Sequence, residues 1–206
     1  MEIGVLGGTG DLGRGLAYRL ADAGHDVVLG SREFERARDA VEAAPVPDGC
    51  LKPGRNAEAA AAEVAVLSVP YPHAVDAARE HAEAFEGVLV SPVVPMERRE
   101  GVFVYSPRGE SATADVVDAV DVPVAGAFHN VAAAKLVDMD ADLGLDVLVF
   151  GDVEAKDVAI GLVDDVGASA VDAGGLAVAS QVEALTPLLI NVGVSTGRRN
   201  LGFRLV

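Results

Sequence analysis

The string Gly8-Thr9-Gly10-Asp11-Leu12-Gly13 follows a short apolar run, Ile3-Gly4-Val5-Leu6, and opens an amphipathic stretch from Leu12 to Ala23. A chain with 23 glycines produces such spacings by chance, so the position of the string carries the argument. Between a strand and a helix, Gly8 permits a tight turn, Gly10 lets a ligand approach the backbone, and Gly13 lets helix and strand pack closely. The unpaired N–H groups at the helix start then face an anion, and a pyrophosphate fits them. This arrangement predicts a βαβ unit that binds a dinucleotide. Asp11 sets a carboxylate beside that anion site, where it can cap the helix and point outward.

The next strand, Asp26-Val27-Val28-Leu29-Gly30, ends in Gly30-Ser31-Arg32. NAD-binding versions of this unit place an acidic residue here, where it binds the ribose 2′-hydroxyl. No carboxylate stands at this point. Ser31 can donate to a 2′-phosphate, Arg32 offers a forked cation, and Arg36 lies one turn into the following helix. These residues predict NADP rather than NAD. The alternative gives Ser31 the role of a helix cap and leaves Arg32 solvated.

Strand, turn and helix patterns then repeat. Helix is expected over Phe34–Ala44, from Asn56, and over Pro72–Phe85, with strands at Val64–Val69 and Val88–Val90. Pro45 and Pro47 break the pattern between them. The proline-bearing, charged segment from Pro92 to Pro107 reads as a long loop, and loops of that length are often functional. Helix Ala112–Val120 and strand Val122–Ala127 follow. Beyond Asp142 come strand Val147–Phe150, helix Glu154–Val166, strand Ser169–Val171 and a helix over Ser180–Val192. Continuous apolar runs mark strands covered on both faces, hence a mainly parallel sheet. The expected fold is α/β, a Rossmann-type doubly wound sheet with a small C-terminal α/β extension. The domain boundary is expected between residues 145 and 146, with 146–206 closing the cofactor cleft.

Composition narrows the function further. There are 32 acidic residues against 16 basic ones, a net charge of −16. That balance argues against nucleic-acid and anionic-membrane binding, both of which need clustered cations. The basic residues include only three lysines, Lys52, Lys135 and Lys156, while aspartates are scattered along the chain. This pattern suggests adaptation to a salty cytoplasm, and a halophilic, haloarchaeal source; an acidic surface serving a cationic partner is the other reading. The single Cys50 has no partner for a disulfide, and no cysteine or histidine cluster suggests a metal. No signal peptide and no apolar stretch of about 18 residues is apparent, so a cytoplasmic location is expected.

With these residues in view, the chain resembles the coenzyme F420-dependent NADP oxidoreductases of archaea, which use a 5-deazaflavin hydride carrier. The likeness lies in Gly7 to Ala17, Gly24-His25, Gly30-Ser31-Arg32, Ala65 to Pro70, Val90 to Pro95, Phe128-His129, Asp172-Ala173-Gly174 and Glu183 to Leu189. The resemblance implies NADP contacts from Thr9, Gly10, Asp11, Leu12, Ser31, Arg32 and Arg36, with Val69, Val94 and Ala133 along the cofactor. It places the deazaflavin, coenzyme F420, near His129 and the helix of Thr186. A homodimer is expected. Asp11 stands where relatives often have Asn. Ser180 and Gln181 stand where some carry an Arg, a difference that bears on how the acidic tail of the deazaflavin is held.

Direct hydride transfer between two stacked rings needs orientation and exclusion of water, not a nucleophile or a metal. No catalytic residue is therefore expected, and His129 and Thr186 would shape the site. They can equally be read as a histidine at a helix start and an ordinary helix threonine. Rival readings are an NADPH-dependent flavin or metal-ion reductase, a small-substrate NADP dehydrogenase or imine reductase, and a non-enzymatic NADP(H) redox sensor. The dehydrogenase reading needs a long helical domain for which the chain has little room.

Overall fold

The computed structural model describes residues 1–47 and 49–206. Its first half runs β1 (Glu2–Leu6), α1 (Asp11–Asp22), β2 (Asp26–Ser31), α2 (Phe34–Glu42), β3 (Leu51–Arg55), α3 (Asn56–Ala60), β4 (Val64–Leu67), α4 (Tyr71–Glu80) and β5 (Val88–Ser91). A hairpin of β6 (Met96–Arg99) and β7 (Val102–Tyr105) follows, then α5 (Ala112–Val117), β8 (Val124–Gly126) and α6 (Ala133–Val137). The chain ends in β9 (Asp146–Gly151), α7 (Val153–Asp165), β10 (Ser169–Gly174) and α8 (Ala179–Thr196).

Eight strands form one sheet in the order β10-β9-β8-β5-β4-β1-β2-β3. Neighbours are parallel except β8 and β9, which run antiparallel. The unbroken apolar runs explain why helices cover both faces. In β1, β4 and β5, Ile3, Val5, Val64, Val66, Val88 and Val90 enter one buried layer. Leu6, Ala65, Leu67 and Leu89, on the other side of the pleat, enter a second. The strand order reverses between β1 and β4, and in such sheets the crevice at that reversal, beyond the carboxyl ends of the strands, is where ligands bind.

Several elements differ from expectation. β3 was not expected, because Leu51-Lys52-Pro53-Gly54-Arg55 contains two poor strand formers; it survives because it is an edge strand, where proline is tolerated. The segment read as a loop from Pro92 to Pro107 contains the β6–β7 hairpin, closed by Glu100 and Gly101, both at positive φ. Glu100 is a poor residue for that backbone, which hid the turn. Helix α6 also escaped the pattern. One sheet runs across residues 145 and 146, since β9 pairs with β8.

Long-range contacts brace the frame around α1. The Arg19 guanidinium lies within hydrogen-bond distance of five main-chain carbonyls, those of Lys135, Leu136, Asp138, Ala141 and Val166. It thereby ties α1 to the ends of α6 and α7. Against the expectation of no such segment, Leu176–Thr196 is helical over 21 residues with mean hydropathy 1.3, long and apolar enough by length and composition to cross a membrane.

Candidate functional site

The loop after β1 is built largely from main chain. Gly7 takes a positive φ of 70°, and a Cβ there would lie 2.4 Å from the Ser68 carbonyl oxygen. The left-handed turn therefore falls on Gly7 and not on Gly8, which instead packs beneath the loop and donates its N–H to the Gly30 carbonyl at 2.9 Å. Gly13 has the expected packing role, since a Cβ on it would sit 2.9 Å from Gly8 Cα. Gly10 caps α1 with extended backbone, and a Cβ on it would meet only the Gly7 carbonyl oxygen, at 3.6 Å. Asp11 does not cap the helix. As its first residue it pairs with Arg14 at 2.9 Å, which offsets the carboxylate charge at the head of α1.

From this loop a single cleft of about 1550 Å³ extends over the carboxyl ends of β1, β4 and β5. Thr9, Gly10, Asp11 and Leu12 line it at the α1 end, with Ser31, Arg32 and Arg36 beside them. Val69, Val94 and Ala133 line its middle, and His129 and Thr186 its far wall. Gly8 and Gly13 lie behind the loop and do not face the cleft. Ser31 is 5% exposed and its hydroxyl accepts from Glu33 N–H at 3.2 Å, a turn preceding α2 whose N-cap is Glu33. Arg36 pairs with Glu33 at 3.1 Å, whereas Arg32 makes no ion pair among the described residues. Two contributors were not read as site residues. Arg55, the last residue of the unpredicted β3, also lines the cleft, and Asn56, which opens α3 as expected, accepts the Gly7 N–H at 3.1 Å.

The far wall depends on side chains. His129 lies in a turn after β8, not at a helix start, and follows Phe128, a buried residue at φ 66°. Its ring stacks on Phe150 at 5.4 Å, is 3% exposed, and neither ring nitrogen has a hydrogen-bond partner among the described residues. Burial pushes its pKa down to about 3, so the imidazole is neutral and holds no proton to donate as a cation. Thr186 donates to the His129 carbonyl at 2.6 Å, joining α8 to this turn.

Two further residues hold α8 in place. Glu183 is 0% exposed, and its carboxylate accepts from Tyr105 Oη, the Ala112 and Thr113 N–H groups and Thr113 Oγ1, all at 2.8–2.9 Å. Burial is the largest influence and holds its pKa above the usual carboxylate value, while these donors act against it. Two turns on, Asn191 exchanges both hydrogen bonds with the Phe103 main chain, at 2.9 and 2.7 Å, as another strand would. Helix α8 is thus stapled to β7 and α5. Ser180 and Gln181, at its start, do not line the cleft. Among the described residues, no three His, Cys, Asp or Glu side chains are placed to hold a metal ion.

Residues 2–95 match the family described as NADP oxidoreductase coenzyme F420-dependent. The chain is 38% identical to the F420-dependent NADP reductase of Methanothermobacter marburgensis, over 100% of this chain and 98% of that one. The F420-dependent NADP reductase of Methanothermobacter thermautotrophicus is 35% identical over 100% and 94%. A crystal structure of a candidate F420-dependent NADP reductase from Arthrobacter sp. FB24 superposes with a TM-score of 0.82 at 26% identity, covering 99% of this chain and 98% of that one.

Proposed function

The chain belongs to the family of coenzyme F420-dependent NADP oxidoreductases, and from that premise we infer that it moves a hydride directly between reduced coenzyme F420 and NADP. The observation that carries this reading is one cleft joining an arginine-lined end to a wall made by buried His129 and half-buried Thr186. When bound, the two substrates supply the chemistry, a reversible hydride exchange between the deazaflavin ring and C4 of the nicotinamide.

The protein's part is to bind, orient and exclude water. In this reading the N–H groups opening α1 hold the pyrophosphate, with Thr9, Gly10, Asp11 and Leu12 around it and Gly8 and Gly13 supporting the loop. Ser31, Arg32 and Arg36 take the 2′-phosphate, joined by Arg55. Val69, Val94 and Ala133 lie along the cofactor and lead it toward Thr186 and His129. A neutral, stacked His129 supplies shape and low polarity there, so ring alignment does the catalytic work. Residues 146–206 close the cleft through α8.

The reading extends to the setting. The enzyme works in the cytoplasm of a halophile as a homodimer, without membrane or nucleic acid. Glu183 and Asn191 commit the polar groups of α8 to β7 and α5, which favours packing over insertion, and exposed Leu188 and Val192, on the side of that helix away from the cleft, suit a second copy. Unscreened repulsion at −16 makes the unfolding temperature rise from dilute buffer to molar potassium chloride. The decisive assay is optical: NADP added to enzyme and reduced deazaflavin should restore the oxidised deazaflavin absorbance. A requirement for FMN would overturn the reading.

A further inference from the structure

The cleft carries more positive charge than the chain around it. Overall, carboxylates outnumber cations by 32 to 16, yet five arginines line the cleft against four carboxylates, Asp11, Glu33, Asp76 and Glu80. Three of those arginines, Arg32, Arg36 and Arg55, belong to the ends of β2 and β3 and the start of α2. The other two, Arg198 and Arg199, come from beyond α8. In a protein this acidic, neither finds an ion-pair partner among the described residues. Free arginines facing a cleft await an anion from outside it.

Their position relative to the ring wall is set by α8. Thr186, Leu189, Ile190, Gly193, Val194 and Gly197 face the cleft at spacings of three and four, one continuous stripe of the helix. At ~1.5 Å per residue the stripe carries the groove on the order of 18 Å from Thr186 to the arginines. The space is also more than one ligand needs: about 1550 Å³, where a pocket for one small ligand holds roughly 300–1000 Å³.

The arginines sit on an anchored segment. Gly197 at φ 67° ends the helix, and the chain turns back so that a Cβ on Gly193 would lie 2.9 Å from the Arg198 carbonyl oxygen. Further on, Asp146 N donates to Phe203 O at 3.0 Å and Leu205 N donates to the Asp146 carboxylate at 2.6 Å. At the other end of the groove, the unpartnered His129 ring, 3% exposed, marks where a ligand ring would start.

We propose that Arg198 and Arg199 form a second anion subsite, which takes the phosphate or carboxylate groups on the tail of the deazaflavin while its ring lies at Thr186. This rests on the hydride-transfer reading above. It also assigns tail binding to the segment after α8 instead of the Ser180–Gln181 region at its start. The groups are exposed, so their attraction is strongest at low ionic strength.

The test compares wild type with the double variant Arg198→Gln/Arg199→Gln in steady-state kinetics at low salt. Three deazaflavins serve as probes: the full coenzyme, a form keeping the phosphate but lacking the carboxylates, and a form lacking both. The expected result is a KM for the full coenzyme raised about tenfold, with the KM for NADP changed less than about twofold. The ratio of variant to wild-type KM should fall toward one for the form lacking both groups, and the phosphate-only form identifies which group is held. A ratio that is the same for all three probes, or an equal rise in the KM for NADP, overturns the subsite. A wild-type enzyme inactive with every deazaflavin overturns the hydride-transfer reading itself, an outcome distinct from an active enzyme indifferent to the double substitution.

Discussion

At the Gly7–Gly13 end of the cleft, the lining comes mostly from the short stretch between Gly7 and Arg36, joined by Arg55. At the α8 end, each holding contact joins distant residues: Thr186 to His129 across 57 positions, Glu183 to Thr113 across 70, Asn191 to Phe103 across 88. One wall is made by local backbone geometry, the other by buried polar side chains. The contrast implies that substitutions in the first should change affinity at constant stability. In the second, they should change stability and ring placement before they touch the dinucleotide.

The largest expected effect is at Glu183. Glu183→Ala strands four donors, three of them at Ala112 and Thr113, and should cost about 3–5 kcal/mol in chemical denaturation. Glu183→Gln keeps an acceptor for Thr113 and should cost roughly 1–2 kcal/mol. Unchanged stability in Glu183→Ala would break the comparison, because α8 would then be held by something other than its buried polar groups.

Arg32 sharpens the comparison from the other side. Arg32→Ala should weaken NADP binding about tenfold, measured by calorimetry, while NAD binding and the unfolding temperature hold. Equal loss for both dinucleotides would mean that Arg32 does not read the 2′-phosphate.

A further effect separates the walls by pH. His129 titrates at about 3 in the native state against 6.5 ordinarily, so only the unfolded chain gains its proton between those values. Its contribution to stability is complete above pH 6.5 and is lost as pH falls from there toward 3. His129→Phe should flatten that acid slope without altering NADP affinity. If the slope persists, other groups govern the acid limb.

The same contrast explains what the sequence made legible. Glycine spacing after a strand has a local cause, so the βαβ unit, the loop after β1 and the parallel sheet could be read directly. Ser31, Arg32 and Arg36 all reach the cleft as their spacing implied. Gly7 was overlooked as the left-handed residue because the motif begins one position later. Arg55 stayed hidden because it ends an edge strand containing Pro53 and Gly54, and Asn56 was legible only as the start of a helix. Glu183 had only the look of a helix glutamate, since nothing local reveals that Tyr105, Ala112 and Thr113 will surround it. The hairpin from Met96 to Tyr105 was masked by prolines at its flanks and a glutamate in its turn. Topology places these residues together, and pattern reading along one chain does not see it.

The central claim is that the two walls bring two rings together for direct transfer, and isotopic label tests it most directly. Coenzyme F420 reduced with deuterium at the transferring ring carbon should be mixed with NADP and enzyme in ordinary water, and the NADPH examined by mass spectrometry and proton NMR. Direct transfer predicts deuterium at nicotinamide C4, on one face only, with none lost to solvent. Solvent hydrogen at that carbon would contradict the account, because the hydrogen would then have passed through a group that exchanges with water.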